Sequence, residues 1–168
     1  MVDLAQHDVS HLGAVELFTP KFEESRWFFE ELLAMRVVAE QGDSIYLRCW
    51  DEYELYTIKL TASDTNGVGR TLYRAGSPEA LERRVAAIEA AGLGRGWQEP
   101  EVGVGRSFAF EDPDGHAMAI YYDTEHYVPD DQDRPALKNQ AARYPGKGVN
   151  ARRLDHINYL ASDVDAAG

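Results

Sequence analysis

Two of the five histidines open apolar, alternating runs: His11 in HLGAVEL and His156 in LDHINYL, 145 residues apart. A neutral imidazole at the start of a strand can ligate a metal or move a proton. A facial metal triad needs two imidazoles and a carboxylate converging on one face, with positions left open for reactants. By residue type alone a single strand histidine is a weak sign, so His11 is read as a strand-end residue hydrogen-bonded to backbone. His116 follows Gly115 in a tight turn and is read as turn packing, while His7 and His126 lie in polar end segments and are read as facing water. Tyr121, Tyr122 and Tyr127 could line an aromatic channel, although a half-buried strand end explains them equally. For Trp27, Trp50 and Trp97 packing is the reading adopted.

Other motifs carry less. GVGR occurs at 67–70 and again at 103–106, but no Lys-Ser/Thr pair follows and no helix begins there, which argues against a phosphate loop. The pairs Glu23-Glu24 and Glu30-Glu31 fall on an amphipathic pattern and read as a solvated face. Cys49 is the single cysteine, so neither an internal disulfide nor a cysteine metal cluster can form within the chain, and its place in SIYLRCW suggests a small apolar strand residue.

The 168 residues, 44% of them hydrophobic, suffice for a normal core. The net charge of −12 opposes nucleic-acid phosphates and anionic membrane surfaces. No apolar run reaches the ~18–20 residues of a membrane span, and MVDLAQHDVSH lacks the basic-then-apolar order of a leader. The expectation is a cytoplasmic protein with no nucleic-acid or membrane partner.

The elements that must position these residues repeat. HLGAVELFT reads as a strand, and Thr19-Pro20 opens a helix whose apolar stripe comprises Phe22, Phe29 and Leu33, widened by Phe28 and Leu32. Three strand-like runs follow, MRVVAE, SIYLRCW and YELYTIKLT. The order then recurs. GRTLYRA is a strand, and Ser77-Pro78-Glu79 starts a helix with Leu81, Val85 and Ile88 inward and Gly92 as its stop. GWQEPEVGVG, RSFAFED and HAMAIYYD complete the unit, the last two joined by the turn Pro113-Asp114-Gly115. Two strand–helix–three-strand units predict an α+β fold of paired βαβββ modules over residues 8–124. Residues 125–153 are polar and proline-bearing and read as an extended connection. In 154–168, Ile157, Tyr159 and Ala161 alternate with Asn158 and Leu160 as a strand would, with Ser162 and Asp163 offering helix caps.

The opening HLGAVELFTP, the helix SPEALERRVAAIEAAG, the hairpin FEDPDGHAMAIYY and the terminal LDHINYLASDV together resemble the type I extradiol ring-cleavage dioxygenases. These belong to the vicinal oxygen chelate superfamily, with glyoxalase I and the bleomycin-resistance proteins. The resemblance implies a two-domain, homo-oligomeric enzyme that opens catechol-type rings beside the diol with O2. Non-heme Fe(II), or manganese in its place, would be held in the C-terminal domain by two histidines and a glutamate. On that basis 8–124 is the N-terminal domain, 125–153 a linker and 154–168 the first strand of a truncated catalytic domain, with His156 the first metal ligand. The fragment alone is expected to be inactive and to bind no metal stably. Its own module matches the superfamily's ligand positions poorly: His11 is taken as the first, Arg70 and Thr71 lie near the second, and Ala119 stands where a glutamate would be needed. The rival expectation is a metal-free small-molecule binding protein of the bleomycin-resistance type.

Overall fold

In the computed structural model, which describes residues 7–167, the run VSHLGAVELFT becomes one long strand, β1 (Val9–Thr19). The Thr19 hydroxyl accepts from the Lys21 amide at 3.1 Å and turns the chain into α1 (Phe22–Trp27), which continues as a π-helical turn over Phe28–Leu32. Ala34, at φ 56°, ends it. Strands β2 (Arg36–Gln41), β3 (Ser44–Arg48) and β4 (Ile58–Ala62) complete the first module. The second repeats the plan with β5 (Gly67–Ala75), α2 (Pro78–Ala90), β6 (Gly94–Gln98), β7 (Ser107–Glu111) and β8 (Ala117–Tyr121). Ser77 caps α2 by accepting from Ala80 N at 3.1 Å, and Gly92, at φ 73°, supplies the left-handed residue beyond its end.

The eight strands form one sheet in the order β2-β3-β4-β1-β5-β8-β7-β6. Within each module the first and last strands pair in parallel, β1 with β4 and β5 with β8, and the modules meet along the antiparallel seam β1·β5. This is the paired βαβββ, α+β architecture expected from the repeat.

Side chains alternate across the sheet because successive strand residues point to opposite faces. One face carries the helices: Phe22, Phe29 and Leu33 pack on Val15, Ile45, Leu47 and Leu60, and α2 packs through Ala80 and Val85 on Ala75, Phe108 and Ile120. The other gathers Ala14, Tyr46, Leu72, Ala119 and Tyr121 with Tyr56. Register places Ala14 opposite Leu72 and Leu72 opposite Ala119, one row of apolar residues across β1, β5 and β8.

Several expectations change. Phe28 and Leu32 do not widen the buried stripe; the π-helical turn leaves both exposed beside Trp27, which is 59% exposed. YELYTIKLT yields a strand only from Ile58, because residues 53–55 turn toward the later segment, with Leu55 N bonded to Glu125 O and Tyr127 N to Tyr53 O, each at 2.9 Å. In GWQEPEVGVG the strand stops at Gln98, and Glu101 and Val104 close a turn on each other after Pro100.

Residues 125–153 contain little regular structure beyond a 3-10 turn at Asp131–Asp133, yet they are folded against the first module. Ala141 and Ala142 are buried, Arg36 pairs with Asp133, and the Arg48 guanidinium lies 3.7 Å over the Tyr127 ring. The run LDHINYLAS forms no strand in this chain. Its alternation survives as packing: Ile157 and Tyr159 turn toward the helix-bearing face while Asn158 and Leu160 point to solvent. Ile157 joins the cluster around Val15, and the Tyr159 hydroxyl bonds to Thr71. This segment is held by side chains instead of a ladder. A short helix, α3 (Val164–Ala167), begins just past Ser162 and Asp163; Gly168 lies outside the described residues.

Candidate functional site

A cleft of about 490 Å³ opens where the start of β1, the end of β5, the loop after β3 and residues 153–155 come together. His11 and Leu12 form one wall and Arg74 another. Glu52, Tyr53 and Glu54 come from the loop, His126 from the connection, and Arg153 to Asp155 close the remaining side. β1 and β5 place His11 opposite Arg74 in register.

Glu54 sits at the base with a side chain only 9% exposed. One oxygen accepts from His11 Nε2 at 2.8 Å, the other accepts from the Tyr121 hydroxyl, and Arg74 Nε stands 3.7 Å away. Burial opposes ionisation of Glu54, but the hydrogen bonds from His11 and Tyr121 and the charge of Arg74 outweigh it and hold the carboxyl below its usual range. Tyr121 moves the other way: burial, then the Glu54 charge, pushes the phenol far up, so it remains a hydrogen-bond donor. Glu52 is raised chiefly by burial, although the Leu154 amide donates to it at 2.6 Å.

His11 is therefore held by a carboxylate and not, as expected, by backbone. Its Nδ1 lies 3.1 Å from Ser10 Oγ, which gives a hydroxyl–imidazole–carboxylate chain. Ser10 is not among the cleft-lining residues, so the arrangement orients the imidazole without offering a nucleophile to the cleft. Nor is His11 the residue in line with Ala119. The row through Ala119 passes through Leu72 and reaches β1 at Ala14, three residues further on. Arg70 pairs with Glu101, and Thr71 meets Tyr159 on the opposite face.

His116 bonds through Nδ1 to Asp112 Oδ2 at 2.6 Å, and its ring centre lies 4.7 Å from that of Tyr159. His156 is well exposed, with Asp155 Oδ2 3.1 Å from its Nδ1. Among the described residues no group of three or more His, Cys, Asp or Glu side chains is placed to hold a metal ion. Tyr121 is fully buried, whereas Tyr122 and Tyr127 lie beneath Arg74 and Arg48. Trp50 packs edge-on against Tyr144, and Trp97 against Phe108 while staying 38% exposed.

The chain is 45% identical over 156 residues, 93% of its length, to metapyrocatechase of Geobacillus stearothermophilus. It is a relative of the extradiol dioxygenases. A second such relative, the manganese-dependent 2,3-dihydroxybiphenyl 1,2-dioxygenase of Geobacillus genomosp. 3, is 35% identical over 153 residues, 90% of the chain. The chain spans about half the length of these curated relatives, 48% of each. Among solved extradiol dioxygenases, homoprotocatechuate 2,3-dioxygenase from Arthrobacter globiformis superposes with a TM-score of 0.67 at 26% identity, over 72% of this chain and 38% of that one. The B. fuscum enzyme gives the same TM-score at 24% identity, over 72% of this chain and 34% of its own, a likeness of fold. No family model matches the chain.

Several residues that line this cleft escaped sequence reasoning. Glu54, Arg74 and His126 come from distant stretches, and only a charge interrupting an apolar run, as in YELY and LYRA, marks the first two.

Proposed function

We propose that this chain is the N-terminal portion of an extradiol dioxygenase that opens catechol-type rings beside the diol with O2. The observation that carries the reading is 45% identity across 93% of the chain to a metapyrocatechase of which it spans 48%. Residues 8–124 are the supporting paired βαβββ domain, 125–153 the connection, and 154–168 the start of the domain that performs the chemistry, with His156 its first metal ligand. Iron(II) is the metal we favour, and the relative named as manganese-dependent makes manganese the alternative. When bound, such a metal supplies a centre that brings the diol and O2 together.

The residues in hand do not fit a metal by themselves. His156 is well exposed with Asp155 beside it, and the row Ala14, Leu72 and Ala119 offers no donor. The part of this chain is therefore mechanical: it holds the following segment and supports a homo-oligomer. The exposed Trp27, Phe28 and Leu32 favour assembly. No helix among the described residues is long and apolar enough to cross a membrane, and a cytoplasmic location is part of the proposal.

The metal-free binding-protein reading draws on the cleft at His11 and Arg74. The deciding experiment reads the gene through the Gly168 codon and assays its product with catechol and 2,3-dihydroxybiphenyl, anaerobically loaded with Fe(II) or Mn(II). A reading frame that continues, with a yellow ring-cleavage product, is expected. A stop codon and no product would shift the assignment to a binding protein.

A further inference from the structure

The loop after β3 holds the chain at 151–154 residue by residue. Asp51 is fully buried, yet its carboxylate is the meeting point of distant segments: it accepts from Ala141 N at 3.0 Å, Arg152 Nε at 2.8 Å and Arg153 Nη2 at 3.1 Å. Its backbone joins in, the N–H donating to Arg152 O at 3.2 Å and the C=O accepting from Arg153 Nε at 3.0 Å. Glu52 then accepts from Leu154 N at 2.6 Å. Just before them, Ala151 N donates to Leu33 O at 3.1 Å.

A buried carboxylate is costly unless charged donors surround it, and here both arginines come from the segment being held. Side chains that merely tied down a loose tether would not need to reach successive peptide groups. Bonds to consecutive backbone and side-chain donors fix both place and direction. His156 is two residue steps beyond Leu154, roughly 7 Å of extended chain, too short for that direction to be lost.

We propose that Asp51 and Glu52 are positioning residues for the polypeptide beyond Arg153, setting where LDHINYL departs from the first domain and thereby where His156 stands. Its functional meaning rests on the reading of the chain as part of an extradiol dioxygenase; the clamp itself does not. An altered exit would displace the following segment without touching the sheet of the first domain.

The test is amide hydrogen exchange of the 168-residue chain followed by NMR. Glu52→Ala removes the acceptor of the Leu154 amide and is expected to speed its exchange at least tenfold and to shift the amide resonances of Asp155 and His156. Leu72 and Ile120, in β5 and β8, should exchange as before. Glu52→Gln keeps an acceptor oxygen and is expected to restore the native pattern. Asp51→Asn should let trypsin cut after Arg152 or Arg153 at least tenfold faster; should that variant fail to fold, the Glu52 pair still decides. Unchanged Leu154 exchange in Glu52→Ala overturns the proposal, as does an equal acceleration at Leu72 and Ile120, which would be general loss of stability. A clamp released by Glu52→Ala in a protein whose longer form cleaves no catechol upholds the clamp and removes only the dioxygenase reading.

Discussion

The Tyr121 hydroxyl donates to the Glu54 carboxylate, so that the last strand of the second module meets a loop of the first. With His11 on the other carboxylate oxygen, three separate stretches of chain meet on one buried acid. Tyr121→Phe removes a donor and leaves Glu54 partly unsatisfied. The expected cost is about 1–3 kcal/mol, read as a lower denaturation midpoint with an unchanged m-value.

The same acid predicts a pH dependence. Its carboxyl is held below its ordinary value of 4.5, so the folded state binds the proton more weakly than the unfolded chain. The stabilisation is complete above that ordinary value and is lost as pH falls through the lower, folded one. Wild-type stability should therefore fall more steeply below about pH 4.5 than that of Glu54→Gln, in paired denaturant titrations. Parallel curves would show that Glu54 is not the group involved.

Gly13 gives a steric test. A methyl group there would fall on the Tyr121 ring and hydroxyl, which are fully buried and unable to retreat. Gly13→Ala is expected to lose about 1–3 kcal/mol by overpacking and to expose tyrosine in fluorescence or absorbance. A neutral substitution would mean that the Tyr121–Glu54 bond is not fixed in solution.

Cys49 should be inert in the native protein. It is buried, and burial pushes its thiol up to about 11. Only the thiolate reacts with alkylating or disulfide reagents. Negligible labelling at pH 8 is expected until denaturant is added; rapid native labelling would show that the β3 end opens readily.

Docking of the final segment can be measured by itself. Ile157 is half-buried against the Val15 cluster, so Ile157→Ala should cost about 1–2 kcal/mol, less than the ~2–5 of a fully buried isoleucine. If the melting temperature does not move, the segment adds nothing to this domain.

The exposed surface of Trp27, Phe28 and Leu32 should promote self-association. Trp27→Glu combined with Phe28→Glu is expected to lower the mass seen by sedimentation or light scattering while leaving the far-UV spectrum intact. An unchanged mass would place any subunit contact elsewhere.

The modular fold was readable because each signal is local. Apolar runs bounded by turn signals marked β1, β3 and β8, and Ser77, Pro78 and Gly92 bracketed α2. Where structure depends on distant partners, the pattern misleads. Phe28 and Leu32 have helical spacing, but a π-helical turn rotates them out of the buried stripe. Ile157 and Tyr159 alternate as in a strand, yet what they meet is a sheet face. The cleft was the least legible feature: Glu54 is separated by 43 residues from His11 and 67 from Tyr121, and nothing in the short-range spacing pairs them.

Ala14, Leu72 and Ala119 occupy the row where three central strands cross the middle of the sheet, and none of them can donate, accept or carry charge. Around that row the ion pairs divide: Lys21 with Glu24 and Arg95 with Glu111 lie within reach of ions from solution, whereas Asp51 and Glu54 are buried. Over distances beyond about 8 Å, physiological salt screens such exposed charges, while an oily centre is indifferent to it. Ionic strength should thus act on those surface pairs far more than on the buried Asp51 and Glu54, which join distant stretches of the chain.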